Sequence, residues 1–405
     1  MSCRNNVVHV NKESLINNLK LASNLTNITT VSQKNLITYV FGFGRSGKIT
    51  TEGKYADDFF YGYLNFKKNY KNINFVEFDT KKPKYLISIT LSFISKIFRK
   101  LSNLPFFFES ILSNENIKVL RNSENIVITS DRIGLSLIPY FITFRSKKKQ
   151  NITVIVMGLL AKDQSKFLKK VFQRFFTNLF FNNVNNFIFL SKNEYLQAKV
   201  SYRKFGNKFY FIPFCVDTNF WKKNKNKEKN YVLFIGNDGR RKFDLIINIA
   251  EKLPDVEFKI LTEKIKAEDI KSKNIQLIEG QWNRSLLNDI EVKNLYSGAS
   301  LSVIPIKDSY QPSGQSVAMQ SMSMNVPVMI TNTLGFWDKD KFSHKKNIWF
   351  MNDNKLENWC DKIIYLLEND ELRNDISTNG QETVDEFFSS EIFYENLKEI
   401  VLNFP

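Results

Sequence analysis

The 405-residue sequence predicts an α/β protein built from two doubly wound domains, parallel sheets flanked by helices and facing each other across a cleft. Three observations predict it. An apolar content of 43% over this length exceeds what one ordinary core holds, so two cores of roughly 200 residues are the default. Short β-branched or aromatic runs alternate with longer amphipathic ones along the whole chain, the mark of repeated strand–helix units. The alternation is broken once, by the Lys/Asn-rich "WKKNKNKEKN" at 221–230, which reads as a linker. The expected boundaries are an N-terminal Rossmann-like domain over 1–221, a C-terminal one over 222–385 and a closing helix over 386–405. Self-similarity at a period of 20–50 residues, which would mark a solenoid, is not seen.

The strand expectations run in order. In the first half they are "LITYVFGF" (36–43), "INFVEFD" (73–79), "NIVITS" (125–130), "ITVIVMG" (152–158), "NFIFLS" (186–191) and "FYFIPF" (209–214). The second half offers "YVLFIG" (231–236), "EFKIL" (257–261), "IQLIEG" (275–280), "SLSVIPI" (300–306) and "VPVMIT" (326–331). Helical patterns lie between them. In "KFDLIINIAEKL" (242–253), Leu245, Ile246, Ile249 and Leu253 fall on one face. Two basic, aromatic segments also read as helical, "YLISITLSFISKIFRKLSNLPFFFESIL" (85–112) and "SKFLKKVFQRFFTNLFF" (165–181). The second places Phe167, Leu168, Val171, Phe172, Phe175, Phe176 and Leu179 on one face with Lys166, Lys169, Lys170 and Arg174 opposite, which suits a core-facing helix or membrane contact equally. In the first, Lys96, Arg99 and Lys100 precede Leu104, Pro105, Phe106, Phe107 and Phe108, as an interfacial segment would show; the alternative is an insertion forming part of an acceptor site.

Charge is lopsided. Residues 1–221 carry 33 Lys and Arg against 13 Asp and Glu, whereas residues 222–405 carry 25 against 28. A basic half suits nucleic acid, an anionic membrane surface or an acidic glycan, and a solvated basic surface is the plain alternative. No nucleic-acid motif accompanies it, so a nucleic-acid partner is not expected. Cys3, Cys215 and Cys360 are odd in number and widely spaced, which argues against a disulfide framework and a structural zinc site and for a reduced, cytoplasmic compartment. The N-terminal "MSCRNNVVHVNKESLINN" lacks the apolar core of a signal peptide, and no run reaches the ~18 apolar residues of a spanning helix. A soluble or peripheral protein is expected.

Chemistry concentrates at "YQPSGQSVAMQSM" (310–322), between a strand and a helix. In doubly wound folds ligands bind outside the carboxyl ends of the strands. Free N–H groups of Gly314, Gln315 and Ser316 at the helix start would form an anion site, with Ser313 beside it, Gly314 letting a phosphate reach the backbone and Asn325 capping the helix in the left-handed conformation. A second cradle follows Gly236 in "NDGRRK", where Arg240, Arg241 and Lys242 stand at a helix start. Two phosphate cradles in one domain suggest a nucleotide diphosphate. Taken singly, a strand–Gly–helix turn is ordinary in any α/β protein.

Other motifs carry less. "GFGRSGK" supplies Gly42, Gly44, Arg45 and Gly47 and nearly fits a Walker loop, but Ile49 stands where the Mg²⁺-binding hydroxyl is required. It reads as a glycine-rich loop at the cleft. "DKD" (338–340) imitates a metal motif but reads as an exposed loop, and with only His9 and His344 a histidine mechanism is hard to build.

The second half resembles retaining GT-B glycosyltransferases of the fourth glycosyltransferase family (glycosyl transferases group 1). "FIPFCVDTNFW" is similar to their hinge, "YVLFIGNDGRRKFDLIINIAEKLPDVEFKIL" to their first strand–helix–strand unit, and "LYSGASLSVIPIKDSYQPSGQSVAMQSMSMNVPVMITNTLG" to their donor-binding stretch. The likeness covers roughly 185–385 and extends weakly to "GFGRSG" and "NNFIFLSKNEYLQAKVSYRKFG". It implies transfer of a sugar from a nucleotide sugar with retention of configuration, with no metal and no cofactor beyond that co-substrate. By this resemblance Lys242 matches the family lysine on the donor diphosphate and Gly236 its strand-end glycine. Asn237 replaces the family arginine, so Arg240 or Arg241 is the substitute. Pro312 and Gln320 replace the two family glutamates. Gln320 would still bond a ribose hydroxyl, and Asp308 or the backbone at 313–316 would take over the sugar contact. Met157-Gly158 stands near the family His-Gly. The C-terminal helix is implied to pack back across the linker.

The resulting expectation is a transferase acting on a glycan or lipid-linked glycan acceptor in bacterial surface polysaccharide synthesis, peripheral at the inner face of the cytoplasmic membrane. A non-catalytic nucleotide-sugar or carbohydrate-binding protein on the same fold is the alternative. A nucleotide-sugar epimerase is weakened by the scarcity of histidines and of paired carboxylates.

Overall fold

Strand order explains where a ligand can sit. The computed structural model describes residues 36–51, 53–145, 149–161, 167–222, 230–279 and 287–402; Cys3, His9, Lys166 and most of the expected linker lie outside them. Among the described residues, all eleven expected strands form, each shorter than expected, and Trp349–Met351 adds one more. The first sheet holds β1 (Ile37–Phe41), β2 (Ile73–Glu77), β3 (Asn125–Ile128), β4 (Asn151–Val156), β5 (Asn186–Phe189) and β6 (Phe209–Phe211) in the order β2-β1-β3-β4-β5-β6. The second holds β7 (Tyr231–Ile235), β8 (Phe258–Leu261), β9 (Ile275–Ile278), β10 (Ala299–Ile304), β11 (Val328–Thr331) and β12 (Trp349–Met351) in the order β12-β11-β10-β7-β8-β9. All named pairings are parallel.

Parallel strands buried on both faces should be apolar throughout. The central ones are: β1, β7 and β10 are buried at every position. Strand order reverses beside β1 in the first sheet and beside β7 in the second. Successive crossovers leave the sheet in opposite directions there and open a crevice at the carboxyl ends. The loops after β7 and β10 flank the crevice of the second sheet; those after β1 and β3 flank the first.

Both sheets belong to one compact unit, Leu36–Pro405. A single apolar cluster joins them, running from Tyr39 and Phe41 through Trp221 and Tyr296 to Met319 and Phe393. The last helix, Ser390–Leu402, buries Phe393, Leu397 and Val401 and packs on β3 and β4 of the first sheet. Buried Asn151 fastens it there, its amide donating to the carbonyls of Ile400 (3.2 Å) and Val401 (2.9 Å).

Two sequence expectations are corrected. The stretch 104–108 is not interfacial: Leu104, Phe106 and Phe108 are buried, because Arg99 reaches back to the Phe106 carbonyl and folds the segment under the preceding helix. For the second basic helix, Phe167–Asn183, the core-facing alternative fails: of its apolar set only Phe176 is fully buried, and Thr177, Phe180 and Phe181 complete the core contact.

Candidate functional site

The helix Gln315–Ser323 starts at Gly314, whose φ of 79° lies in the left-handed region that glycine enters without strain. No side chain caps this start, so its first N–H groups keep the partial positive charge of an open helix end. The other end closes as expected, with Asn325 at φ 54°. Directly beneath Gly314 lies Arg241. A Cβ on Gly314 would stand 3.0 Å from the Arg241 Nη1 and 2.9 Å from Ile304 Cγ2, and one on Gly236 would collide with the same arginine. Arg241 thus threads between the ends of β7 and β10, at the reversal of strand order, where its backbone also bridges to Ile306.

Its surroundings hold the guanidinium without using it up. Arg241 is 3% exposed and its Nη1 donates to Ser313 Oγ (3.3 Å); Nη2 pairs with Asp238 (3.6 Å), which also accepts from Ser313 Oγ (3.1 Å). The Arg241 Nε and the Gln315 Oε1 are buried with no protein partner. Burial lowers the guanidinium pKa, opposed by Asp238. A buried cation with an unused donor thus stands beside an open helix start, two features that each favour an anion.

Other expected residues take different places. Lys242 begins the helix Phe243–Lys252, half-buried, its own amide donating to the Pro305 carbonyl (3.0 Å). Arg240 is half-buried; its amide bonds Asp238 and its carbonyl accepts from Lys307. Asp308 is exposed, and its carboxylate accepts from the Leu334 amide (3.3 Å). Ser316 is half-buried in the first turn after Gly314.

Gln320 requires a correction. It is fully buried and bonded at both amide atoms: Nε2 donates to Asp58 Oδ2 (2.6 Å), and Oε1 accepts from the Tyr296 hydroxyl (3.1 Å). Asp58 comes from the first half of the chain and also accepts from the Trp221 indole (2.9 Å) and the Asp217 amide (2.6 Å). The amide at 320 therefore faces a carboxyl group rather than a ribose. Burial pushes the Asp58 carboxyl up to about 7, opposed chiefly by its bond from Gln320.

The glycine-rich loop follows β1 with Gly42, Gly44 and Arg45, and two of its amides are already taken. Glu77 from the end of β2 accepts from the Arg45 and Ser46 amides and the Ser46 hydroxyl, so the chain's own carboxylate fills the nest. Only the four-residue helix Ser46–Ile49 follows, and Lys48 turns to Asp289 of the second half (3.9 Å, both buried). Gly42 and the exposed Gly47 have open space around them, so neither is required by close contact.

On the first-half side, Met157 and Gly158 follow β4. Gly158 has φ 89°, and a Cβ there would stand 2.9 Å from Gln311 Cγ, so the loops after β4 and β10 touch across the cleft. Buried Glu194 accepts from the Gly158 (2.8 Å) and Leu160 (2.9 Å) amides, and Asp131 accepts from Met157 (3.1 Å). Burial pushes Glu194 up to about 7 despite those amides. Asp58, Glu194 and Asp289 were missed in the sequence. Only "DD" at 57–58 and "SKNEY" marked the first two, and neither says what it faces.

Residues 216–383, which contain Arg241 and the Gly314 helix start, match the family described as Glycosyl transferases group 1. The C-terminal half matches the glycosyl transferase group 1 family. Solved structures extend the likeness over both sheets. Sucrose-phosphate synthase from Thermosynechococcus elongatus superposes with a TM-score of 0.62 at 11% identity, covering 90% of this chain and 98% of that one. HepE from Anabaena, solved with UDP-glucose, gives 0.61 at 11%, covering 91% and 100%. TarM from S. aureus, solved with UDP, gives 0.54 at 16%, covering 70% of this chain, which spans 56% of TarM's length. No curated protein matches the sequence. At such identities the likeness shows the fold, and the fold is GT-B. The Gly314 helix start and Arg241 thus lie within the group 1 segment, and the Glu194-pinned loop faces them from the other sheet.

Proposed function

We propose that this protein transfers a sugar from a nucleotide-diphosphate sugar to a glycan or lipid-linked glycan, with retention of configuration and without a metal, in bacterial surface polysaccharide synthesis at the cytoplasmic face of the membrane. The observation that carries the donor assignment is the buried Arg241 beneath the uncapped helix start at Gly314. In this reading Arg241 and the amides of Gln315 and Ser316 take the diphosphate, and Lys242 and Arg240 add charge from the rim. The substrate spans the contact between Gly158 and Gln311. As the sugar–phosphate bond breaks, negative charge grows on the departing diphosphate. Fixed donors aimed at that charge lower the barrier without reorganising, so neither a metal nor an enzyme nucleophile is invoked. With Pro312 in place of a carboxylate, the sugar is held by Asp308 or by backbone at 313–316. The acceptor hydroxyl attacks from the face the donor leaves and gives its proton to the departing diphosphate.

Thermal shift with a panel of nucleoside diphosphates and nucleotide sugars tests the donor site. One nucleotide should stabilise the protein, and Arg241→Ala and Lys242→Ala should each reduce the effect. No shift with any nucleoside diphosphate, for folded protein, would count against the reading. Transfer to added acceptor should survive excess chelator; loss of activity on chelation would overturn metal independence. A second reading, a non-catalytic nucleotide-sugar-binding protein, is favoured by one observation: the amide at 320 is already committed to Asp58. Nucleotide binding without transfer or hydrolysis would decide for it.

A further inference from the structure

The helices Tyr85–Ser102 and Phe167–Asn183 pack side by side in the first half, with the rings of Phe98 and Phe176 4.7 Å apart. Both are apolar on two sides. The inward sides fill the core; the outward sides carry Leu86 (77% exposed), Ile89 (51%) and Phe93 (63%) on one helix and Phe167 (78%), Leu168 (70%) and Phe175 (59%) on the other. Positions 86, 89 and 93 recur at the spacing of a single helix face. Single exposed apolar residues need no explanation, but two neighbouring helices each showing an apolar stripe mark an interaction surface.

The charge pattern selects the occupant. Neither helix contains an acidic residue, while Lys96, Lys100, Lys169, Lys170 and Arg174 stand among the exposed apolar side chains. Purely basic rims around aromatic and aliphatic side chains match an anionic bilayer surface, where rings enter the acyl boundary and ammonium groups meet lipid phosphates. Among the described residues no helix is long and apolar enough to cross a membrane, so the contact is a surface one.

We infer that these two helices dock the protein on an anionic lipid surface. The docking also gives orientation. Each helix follows the carboxyl end of a strand, β2 or β4, so its first and most exposed turn lies on the cleft side of the sheet. Resting on these turns places the cleft mouth against the membrane. That a lipid-linked acceptor is then met there rests on the transferase reading; the docking itself does not.

The test is flotation of the full-length protein with vesicles of phosphatidylcholine alone or mixed with phosphatidylglycerol, at low and high salt. Wild-type protein should float with the anionic vesicles at low salt and be released by high salt. Lys169→Gln and Lys170→Gln should each weaken binding roughly fivefold. Phe93→Glu with Leu168→Glu should weaken it by more than about tenfold, with melting temperature and nucleotide-induced shift unchanged. Wild-type protein that stays with the soluble fraction on both vesicles would overturn the inference. So would equal binding by the double variant, or a wild-type dimer that the double variant dissolves, which would assign the face to a second copy. Sugar transfer to a water-soluble acceptor, without flotation, would leave the transferase reading standing and remove this one.

Discussion

At the scale of single residues, position 320 is the most instructive. The resemblance read from the sequence implies a glutamate there; this chain places an amide, and its partner is the Asp58 carboxyl, 2.6 Å away and buried. Two carboxylates that close cannot both ionise. Gln320→Glu should therefore lower the melting temperature strongly above neutral pH and less under mild acid, where the pair can share a proton. Asp58→Asn should recover part of the loss in the double variant; additive losses in a double-mutant cycle would refute the coupling. Gly314→Ala is the companion test. Positive φ and two contacts at or below 3.0 Å predict a cost of about 1–3 kcal/mol together with a smaller nucleotide shift, read from denaturant and thermal melts.

At the scale of elements, the loop after β4 is held by buried acids. Glu194 accepts two loop amides, and its folded pKa of about 7 lies above the ordinary 4.5. The folded form therefore holds the proton at pH values where the unfolded chain has released it. The stability from this group is complete below about 4.5 and declines as pH rises to about 7, the same direction as Asp58 with its shift from 3.8 to about 7. Melting temperature should fall from about pH 5 to about pH 8, and Glu194→Gln should flatten that slope. The same variant turns an amide donor toward an N–H and should cost roughly 1–3 kcal/mol at mild acid pH. An unchanged slope would show that Glu194 is not the titrating group.

At the scale of the whole molecule, the halves are tied by polar contacts that cross between the sheets. Lys48 and Asp289 are both buried, and Asp289 also accepts the Ala56 amide (2.9 Å). Burial lowers the lysine's pKa and raises the aspartate's, while each partner opposes the other's shift. Removing one charge leaves the other buried alone, so Lys48→Met should destabilise by about 3–5 kcal/mol, and Lys48→Met with Asp289→Asn by less. Chemical denaturation of the two variants and the wild type measures this.

Strand and helix positions were legible because they depend on local periodicity: a buried parallel strand must be apolar, and a helix start must be marked by glycine and small residues. That is why all eleven strands, the helix start at Gly314 and the left-handed Asn325 could be read from the chain. Outward and inward faces were less legible. The two basic helices are apolar on both sides, and periodicity cannot say which side the sheet covers; hence the outward face of Phe167–Asn183 and the buried Leu104–Phe108 segment. Long-range polar partners were not legible at all. Arg240, Arg241 and Lys242 are equivalent as neighbouring cations in sequence. The reversal of strand order beside β7 turns Arg241 under Gly314, and packing of the two halves brings Asp58 to Gln320 across 262 positions and lays Gly158 against Gln311. The sequence by itself determined two parallel sheets and a glycine-led helix start, because backbone geometry and burial are written locally. Which cation serves that start and which acids are buried with it were decided by tertiary packing, because desolvation and pairing depend on neighbours that the order of residues does not name.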